Sequence, residues 1–475
     1  MTSQDPCLIP ATELLVLYRS RDLSPVEVTA ACFARIREAN PAINAFFCLT
    51  EEEAMAAARA AEARWAKGAP QGAIDGVPVT IKDLTMMAGA PYRRGSVTTD
   101  PDEIWAEDAP ATQRLREAGG VILGKTTTPE FGWKGVTDCA LTGITRNPWD
   151  PTKTPGGSSG GASGSVALGM GALALGTDGG GSVRMPAGFT GVFGLYPTAG
   201  RIPYVPPSTM DTASQIGPLT RTVADGALMF SVMARPDPRD SIGLTDNERD
   251  WSEGIEKGVK GLRIAWSPTL GFADCDPAIL DATAAAARRF EDLGAVVEQV
   301  DHVIDDPREP YETIYRVAMA RILRTIPAEA HKEIDPGLRR MAEEGEGIGT
   351  FEHAAALSTR AAWGAKFNAF FENYDLLVSP QLPLTAFEAG LEYPEGQGMT
   401  RWFDWSPYCY PLNFTNVPAG TMPCGFVGGL PIALQIAGPR YREDLIFRAC
   451  RAFETVCPIA LPGIPKPAPG STAYL

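Results

Sequence analysis

The chain has 475 residues, 44% of them hydrophobic and 21% charged, which is enough for a large core and, by length alone, for about three domains. Its formal net charge of −15 argues against nucleic acid or an anionic membrane surface as partner, since both demand basic patches. The nine cysteines are scattered without a CxxC pair, so neither a zinc site nor a disulfide framework is indicated and a reducing cytosol fits best.

The first residues, MTSQDPCLIP, lack the basic stretch and apolar run of a signal peptide, and the weakly apolar run 166–176 is too short to span a bilayer. A soluble cytoplasmic protein is expected. Residues 10–39 read as helices, with Ser24, Pro25 and Glu27 forming a capping-box start. A second alanine-rich helix is predicted over 50–67, with acids in its first turn. Residues 1–70 thus read as a helical segment packed on a core formed by 71–475. Residues 76–83, GVPVTIKD, read as a short strand that delivers Lys82. A helix over 108–118 ends at Gly119-Gly120, a buried strand begins at Val121, and helix, strand and glycine turn alternate to 225. From about 260 the strand GLRIAWSP, a long helix and the strand AVVEQVD make a βαβ unit. Residues 307–375 are mostly helical, part of an excursion over about 303–375 expected to cover a cleft; strands at 375–380 and 430–438 and a final helix follow. The fold class is α/β, with one large domain as the economical reading.

The most informative stretch is 155–186, where two serine clusters sit among glycines: Gly156-Gly157-Ser158-Ser159-Gly160-Gly161 and Asp178-Gly179-Gly180-Gly181-Ser182. Glycine permits tight turns, and successive unencumbered N–H groups converge on anions. A hydroxyl beside such a nest supplies what acyl transfer needs, a nucleophile and an oxyanion hole. Two other motifs compete for attention. Residues 119–126 match G-x4-G-K-[ST], but a helix precedes them and bulky residues fill the variable positions, so a nucleotide-binding module is a distant alternative. Residues 156–160 fit G-x-S-x-G, which requires a catalytic histidine. The three histidines, His302, His331 and His353, stand in ordinary surface or structural settings, so a serine here needs another base. Lysine can serve if burial lowers its pKa, and Lys82 ends an apolar strand.

These pieces resemble the amidase signature family of serine hydrolases. The matching stretches are 76–83, 118–131, 147–164, 176–198, 217–225, 416–425 and 430–438, so the likeness runs over nearly the whole chain. The resemblance implies a large mixed β-sheet core covered by helices on both faces and a Ser–cis-Ser–Lys triad. Ser182 would be the nucleophile, Ser158 the bridging serine after a cis peptide from Gly157, and Lys82 the base. The amides of Gly179, Gly180, Gly181 and Ser182 would form the oxyanion hole; Ser159, Asp178 and Arg184 would support the site. No metal or organic cofactor is implied. Phe131, Gly132 and Trp133 lie where the family lines its pocket, and 401–410 packs five aromatic residues into ten positions, which points to a small hydrophobic or aryl amide, or a carbamate. On that reading no protein partner is required. The alternative, a glutamine-hydrolysing subunit of an amidotransferase complex, needs polar anchors, for which Arg201, Asp211, Arg401 and Asp404 are the candidates.

Overall fold

The backbone is organised by strands that are apolar on both faces. A computed structural model describes residues 5–245 and 249–475. In it the segment Pro78–Lys82 forms β2 with every residue buried, as expected of a central parallel strand. Among the described residues eleven strands make one mixed sheet. They are β1 (Phe46–Leu49), β2, β3 (Val121–Thr126), β6 (Leu173–Asp178), β7 (Phe193–Tyr196), β8 (Gln215–Thr220), β9 (Arg263–Trp266), β10 (Val296–Gln299), β11 (Leu376–Pro380), β12 (Ala419–Val427) and β13 (Leu430–Ala437). The two-residue strands β4 (Asp138–Cys139) and β5 (Gly143–Ile144) pair separately. The order across the sheet is β1-β3-β2-β6-β8-β7-β12-β13-β11-β9-β10. β2 lies parallel to both β3 and β6, so Lys82 and Asp178 emerge at the same, carboxyl ends of neighbouring strands. In open α/β sheets that edge is where ligands bind.

Ahead of β2 lie α1 (Ala11–Ser20), α2 (Pro25–Ile43) and α3 (Glu51–Ala66), of which α2 carries the expected capping box. Ser24 accepts from the Glu27 amide, Glu27 accepts from the Ser24 amide, and Pro25 takes the first helical position. α2 continues past the expected end at 39 and stops at Asn44, whose φ of 52° is the left-handed turn that ends helices. Strand β1, which the pattern does not reveal, follows as the antiparallel edge against β3. Helices α4 (Pro110–Glu117), α5 (Gly160–Ala167), α6 (Arg184–Thr190), α7 (Val223–Met233), α8 (Pro277–Asp292) and α13 (Glu443–Val456) cover the sheet, whose central strands are buried on both faces. The βαβ unit of β9, α8 and β10 is present, with the two strands parallel.

The expected excursion is built from α9 (Arg308–Leu323), α10 (Pro336–Glu346) and α11 (Thr350–Phe370). Asp335 caps α10 by accepting from the Gly337 and Leu338 amides. These helices share an apolar cluster with the aromatic segment 402–414, which includes α12 (Tyr410–Thr415), apart from the larger core around the sheet. No helix among the described residues is long and apolar enough to cross a membrane.

Candidate active site

Lys82 is completely buried at the end of β2. Its Nζ donates to Ser158 Oγ at 2.7 Å, Ser159 Oγ at 2.8 Å and Thr177 Oγ1 at 3.0 Å, with the Thr177 carbonyl at 3.4 Å. Burial holds its pKa well below the ordinary lysine value, against the opposing pull of the Asp178 charge. A snorkelling strand-end lysine would reach water; this one reaches hydroxyls. Thr177, the residue before Asp178, completes the lysine's shell and was not singled out from the sequence.

The two serines beside Lys82 differ in what else they touch. The Gly157–Ser158 peptide is cis, and Ser158 lies on the wall of a cavity that also exposes Ser182. Ser159 is fully buried, and its hydroxyl donates to the Thr177 carbonyl at 3.2 Å. Its backbone N–H bonds the Ser182 carbonyl at 3.1 Å, tying the two glycine-serine loops together.

The loop carrying Ser182 is shaped by a fully buried ion pair. Arg184 Nε contacts Asp178 Oδ2 at 2.9 Å; the same guanidinium donates to Gln435, to the Cys409 carbonyl and to Asn413. Burial pushes the Asp178 carboxyl up, but Arg184, Asn413 and the Gly181 amide outweigh it and hold the pKa below the usual value. The Gly181 N–H donates to Asp178 Oδ1 at 2.7 Å, so among the four amides expected to hold the oxyanion it is the one already engaged by a side chain. The amides of Gly180 and Ser182 meet no internal acceptor among the described residues, and Gly179, Gly180 and Ser182 all line the cavity. Tyr311 of α9 donates to the Gly179 carbonyl at 2.5 Å.

The cavity measures about 60 Å³, and Phe131 and Gly132 stand on its wall. Trp133 does not belong with them. It is 1% exposed, and its ring packs so closely on Gly337 of α10 that a Cβ there would lie 2.4 Å away. The aromatic run at 401–410 divides similarly: Trp402 lines the cavity, whereas Phe403, Trp405, Tyr408 and Tyr410 are core. Lys134, Tyr204 and Tyr315 also line it, none of them distinguished by sequence pattern from structural residues. The three histidines lie elsewhere; His302 is exposed beside Asp305, and the His331 ring bonds the Ile326 carbonyl. Lys125, the lysine of the phosphate-loop lookalike, sits in β3 and pairs with Asp83 at 2.6 Å, both side chains buried.

Comparison with known proteins agrees with this architecture. The sequence model of the Amidase family matches residues 27–447. An acylamidase of Rhodococcus erythropolis is 38% identical over 468 residues, covering 97% of this chain and 98% of that protein. A glutamyl-tRNA(Gln) amidotransferase subunit of Chloroflexus aurantiacus is 34% identical over 474 residues, covering 91% and 93%. The crystal structure of a bacterial aryl acylamidase of the amidase signature family superposes with a TM-score of 0.87 at 30% identity, covering 95% of this chain and 96% of that one. The match to the family over most of the chain, on a sheet that brings Lys82 to the two glycine-serine loops, shows that this protein belongs to the Amidase family and is an amide-hydrolysing enzyme.

Proposed function

We propose that the enzyme hydrolyses small hydrophobic amides, with aryl amides and aryl carbamates as the preferred class, through an acyl-enzyme on Ser182. The observation that carries this reading is the buried Lys82 Nζ at 2.7 Å from Ser158 Oγ, on a cavity that also exposes Ser182. Neutral Lys82 takes the Ser158 proton while Ser158 takes the Ser182 proton, and the Ser182 oxygen bonds to the substrate carbonyl carbon. The carbonyl electron pair moves to oxygen, where the Gly180 and Ser182 amides receive it, with Gly179 beside them. Each such donor is worth ~3–4 kcal/mol in comparable sites. Collapse breaks the C–N bond as the proton returns through Ser158 to the leaving nitrogen. Water then repeats the sequence on the acyl-enzyme; with a carbamate, the released acid loses carbon dioxide.

Trp402, Phe131 and Tyr315 around Ser182 support a hydrophobic substrate, as does the likeness to an acylamidase and an aryl acylamidase. The glutamine reading is weaker because two of its candidate anchors, Arg401 and Asp404, are engaged elsewhere. Arg401 contacts Glu312 at 3.0 Å and Asp404 contacts Arg308 at 2.5 Å, and neither lines the cavity. Purified enzyme and the Ser182→Ala variant should be assayed on an acyl anilide, an aryl carbamate, a fatty primary amide and glutamine. Aniline release by the wild type alone is expected. Turnover confined to glutamine would overturn the substrate assignment.

A further inference from the structure

The cavity at Ser182, about 60 Å³, cannot enclose an aromatic ring, since a cavity of ~150 Å³ is what benzene occupies in a protein interior. A second cavity, of about 310 Å³, lies across the Phe131 ring, which stands on the wall of both. The walls are joined again where the chain runs from Tyr204 in the first to Pro206 in the second. For an aryl substrate with its carbonyl at Ser182, this space past Phe131 has the room for the ring that the first cavity lacks.

The second cavity holds an unusual cation. The Arg94 guanidinium lies between two rings, 4.8 Å from the Phe131 centroid and 5.5 Å from that of Tyr92. Its Nε is buried without a hydrogen-bond partner, and among the described residues no carboxylate lies within ion-pair distance of it. Asp100 and Glu103 stand on the same wall but are exposed and do not reach it. The backbone fixes its place, because the Phe131 amide donates to the Arg94 carbonyl at 2.7 Å. Lys134 makes the contrast. It lines the catalytic cavity but is already held by Asp138 at 2.6 Å and Asp335 at 3.1 Å. A ring-stacked guanidinium with unspent donors is a receptor for a planar carboxylate, which its fork matches with two hydrogen bonds.

The end of the substrate that reaches Arg94 follows from the site. This step rests on the Ser182–Ser158–Lys82 reading, in which Ser158 hands the proton to the leaving nitrogen. The amine end then lies against Ser158. A Cβ on Gly132, the neighbour of Phe131, would stand 3.3 Å from Ser158 Oγ, so an amine held by Ser158 lies beside the Gly132–Phe131 wall that the second cavity shares. We propose that the second cavity is a subsite for a carboxylate on the leaving amine, with Arg94 as its receptor. The substrates it selects are N-acyl derivatives of aminobenzoates and comparable amino acids.

The test compares kcat/KM for 4-acetamidobenzoate and acetanilide in the wild type, Arg94→Gln and Arg94→Lys. The electronic effect of the para-carboxylate on the leaving group is common to all three and cancels in the comparison. The ratio of the two values is expected to fall about tenfold or more in Arg94→Gln, mainly through KM, with part of it kept in Arg94→Lys. A ratio unchanged by Arg94→Gln would overturn the proposal. Calorimetric titration with 4-aminobenzoate and with aniline reads the same subsite without turnover. If neither amide is cleaved, the functional reading fails, and titration still decides the subsite. Tighter binding of 4-aminobenzoate that is lost in Arg94→Gln supports it, and equal binding of the two amines refutes it.

Discussion

The Tyr311 hydroxyl donates to the Gly179 carbonyl across 2.5 Å, joining α9 to the loop that ends in Ser182. In a trans peptide the carbonyl and the following N–H point in opposite directions. Anchoring the Gly179 oxygen on Tyr311 therefore aims the Gly180 N–H away from α9. Gly180 has no room for a side chain, because a Cβ would stand 2.7 Å from that hydroxyl and 2.9 Å from Trp402. Tyr311→Phe keeps the ring, which stacks on Tyr410 at 5.3 Å, and removes only the clamp. We expect kcat to fall about tenfold with KM little changed, the pattern of an interaction felt in the transition state. Steady-state kinetics on an anilide would show it, and a rise in KM alone would contradict it.

The proposed mechanism uses Lys82 as a neutral amine, so kcat/KM should rise with pH and level off below the ~10.4 of an exposed lysine, because burial lowers its pKa. The same shift has a stability counterpart. Between the lowered folded value and the unfolded one, the unfolded chain binds more protons, so stability increases with pH through that window. Lys82→Met should remove this slope from Tm-against-pH curves and lower kcat by ~10³-fold. A slope that persists in the variant would show that another group titrates.

Ser158 and Ser159 both accept from Lys82, yet only Ser158 faces the cavity. Ser159 spends its proton on the Thr177 carbonyl. Ser158→Ala is expected to cost ~10²–10⁴-fold in kcat. Ser159→Ala should cost far less, leaving kcat within about tenfold of wild type and lowering Tm through the lost buried hydrogen bond. Equal losses in the two variants would contradict the assignment of the bridging role.

The Lys125–Asp83 pair is buried on both sides, and Lys125 Nζ also bonds the Pro91 carbonyl at 2.8 Å. Removing one partner of such a pair typically costs ~3–5 kcal/mol. Lys125→Met should lower stability in urea unfolding by about that amount, and neither protein should bind ATP. Nucleotide binding by the wild type would reopen the phosphate-loop reading of 119–126.

How much of this was legible in the sequence varies with the kind of interaction. The apolar run before Lys82 implied its burial, and the period of 263–299 implied β9, α8 and β10. β12 escaped because Gly420, Pro423 and Gly425 break its alternation; the strand absorbs them with a bulge between Pro423 and Gly425. β1 is only four residues long at the sheet edge. Aromatic residues announce burial but not its purpose, so Trp133 and Trp405 read like Trp402 although only Trp402 meets the cavity. Gly181 could not be told from Gly180, since the difference lies in which way one N–H points. Tyr311 acts 132 positions away from Gly179, a separation that local pattern does not bridge.

The central claim is that the acyl group passes through Ser182. Mixing the enzyme with an O-aryl carbamate, which loses its phenol in place of an amine and leaves a slowly hydrolysed carbamoyl-enzyme, followed by intact-mass and peptide mass spectrometry, tests it most directly. One carbamoyl group per chain, on the peptide carrying Ser182 and missing from Ser182→Ala, is the predicted result. A label on another residue, or undiminished anilide turnover by Ser182→Ala, would contradict it.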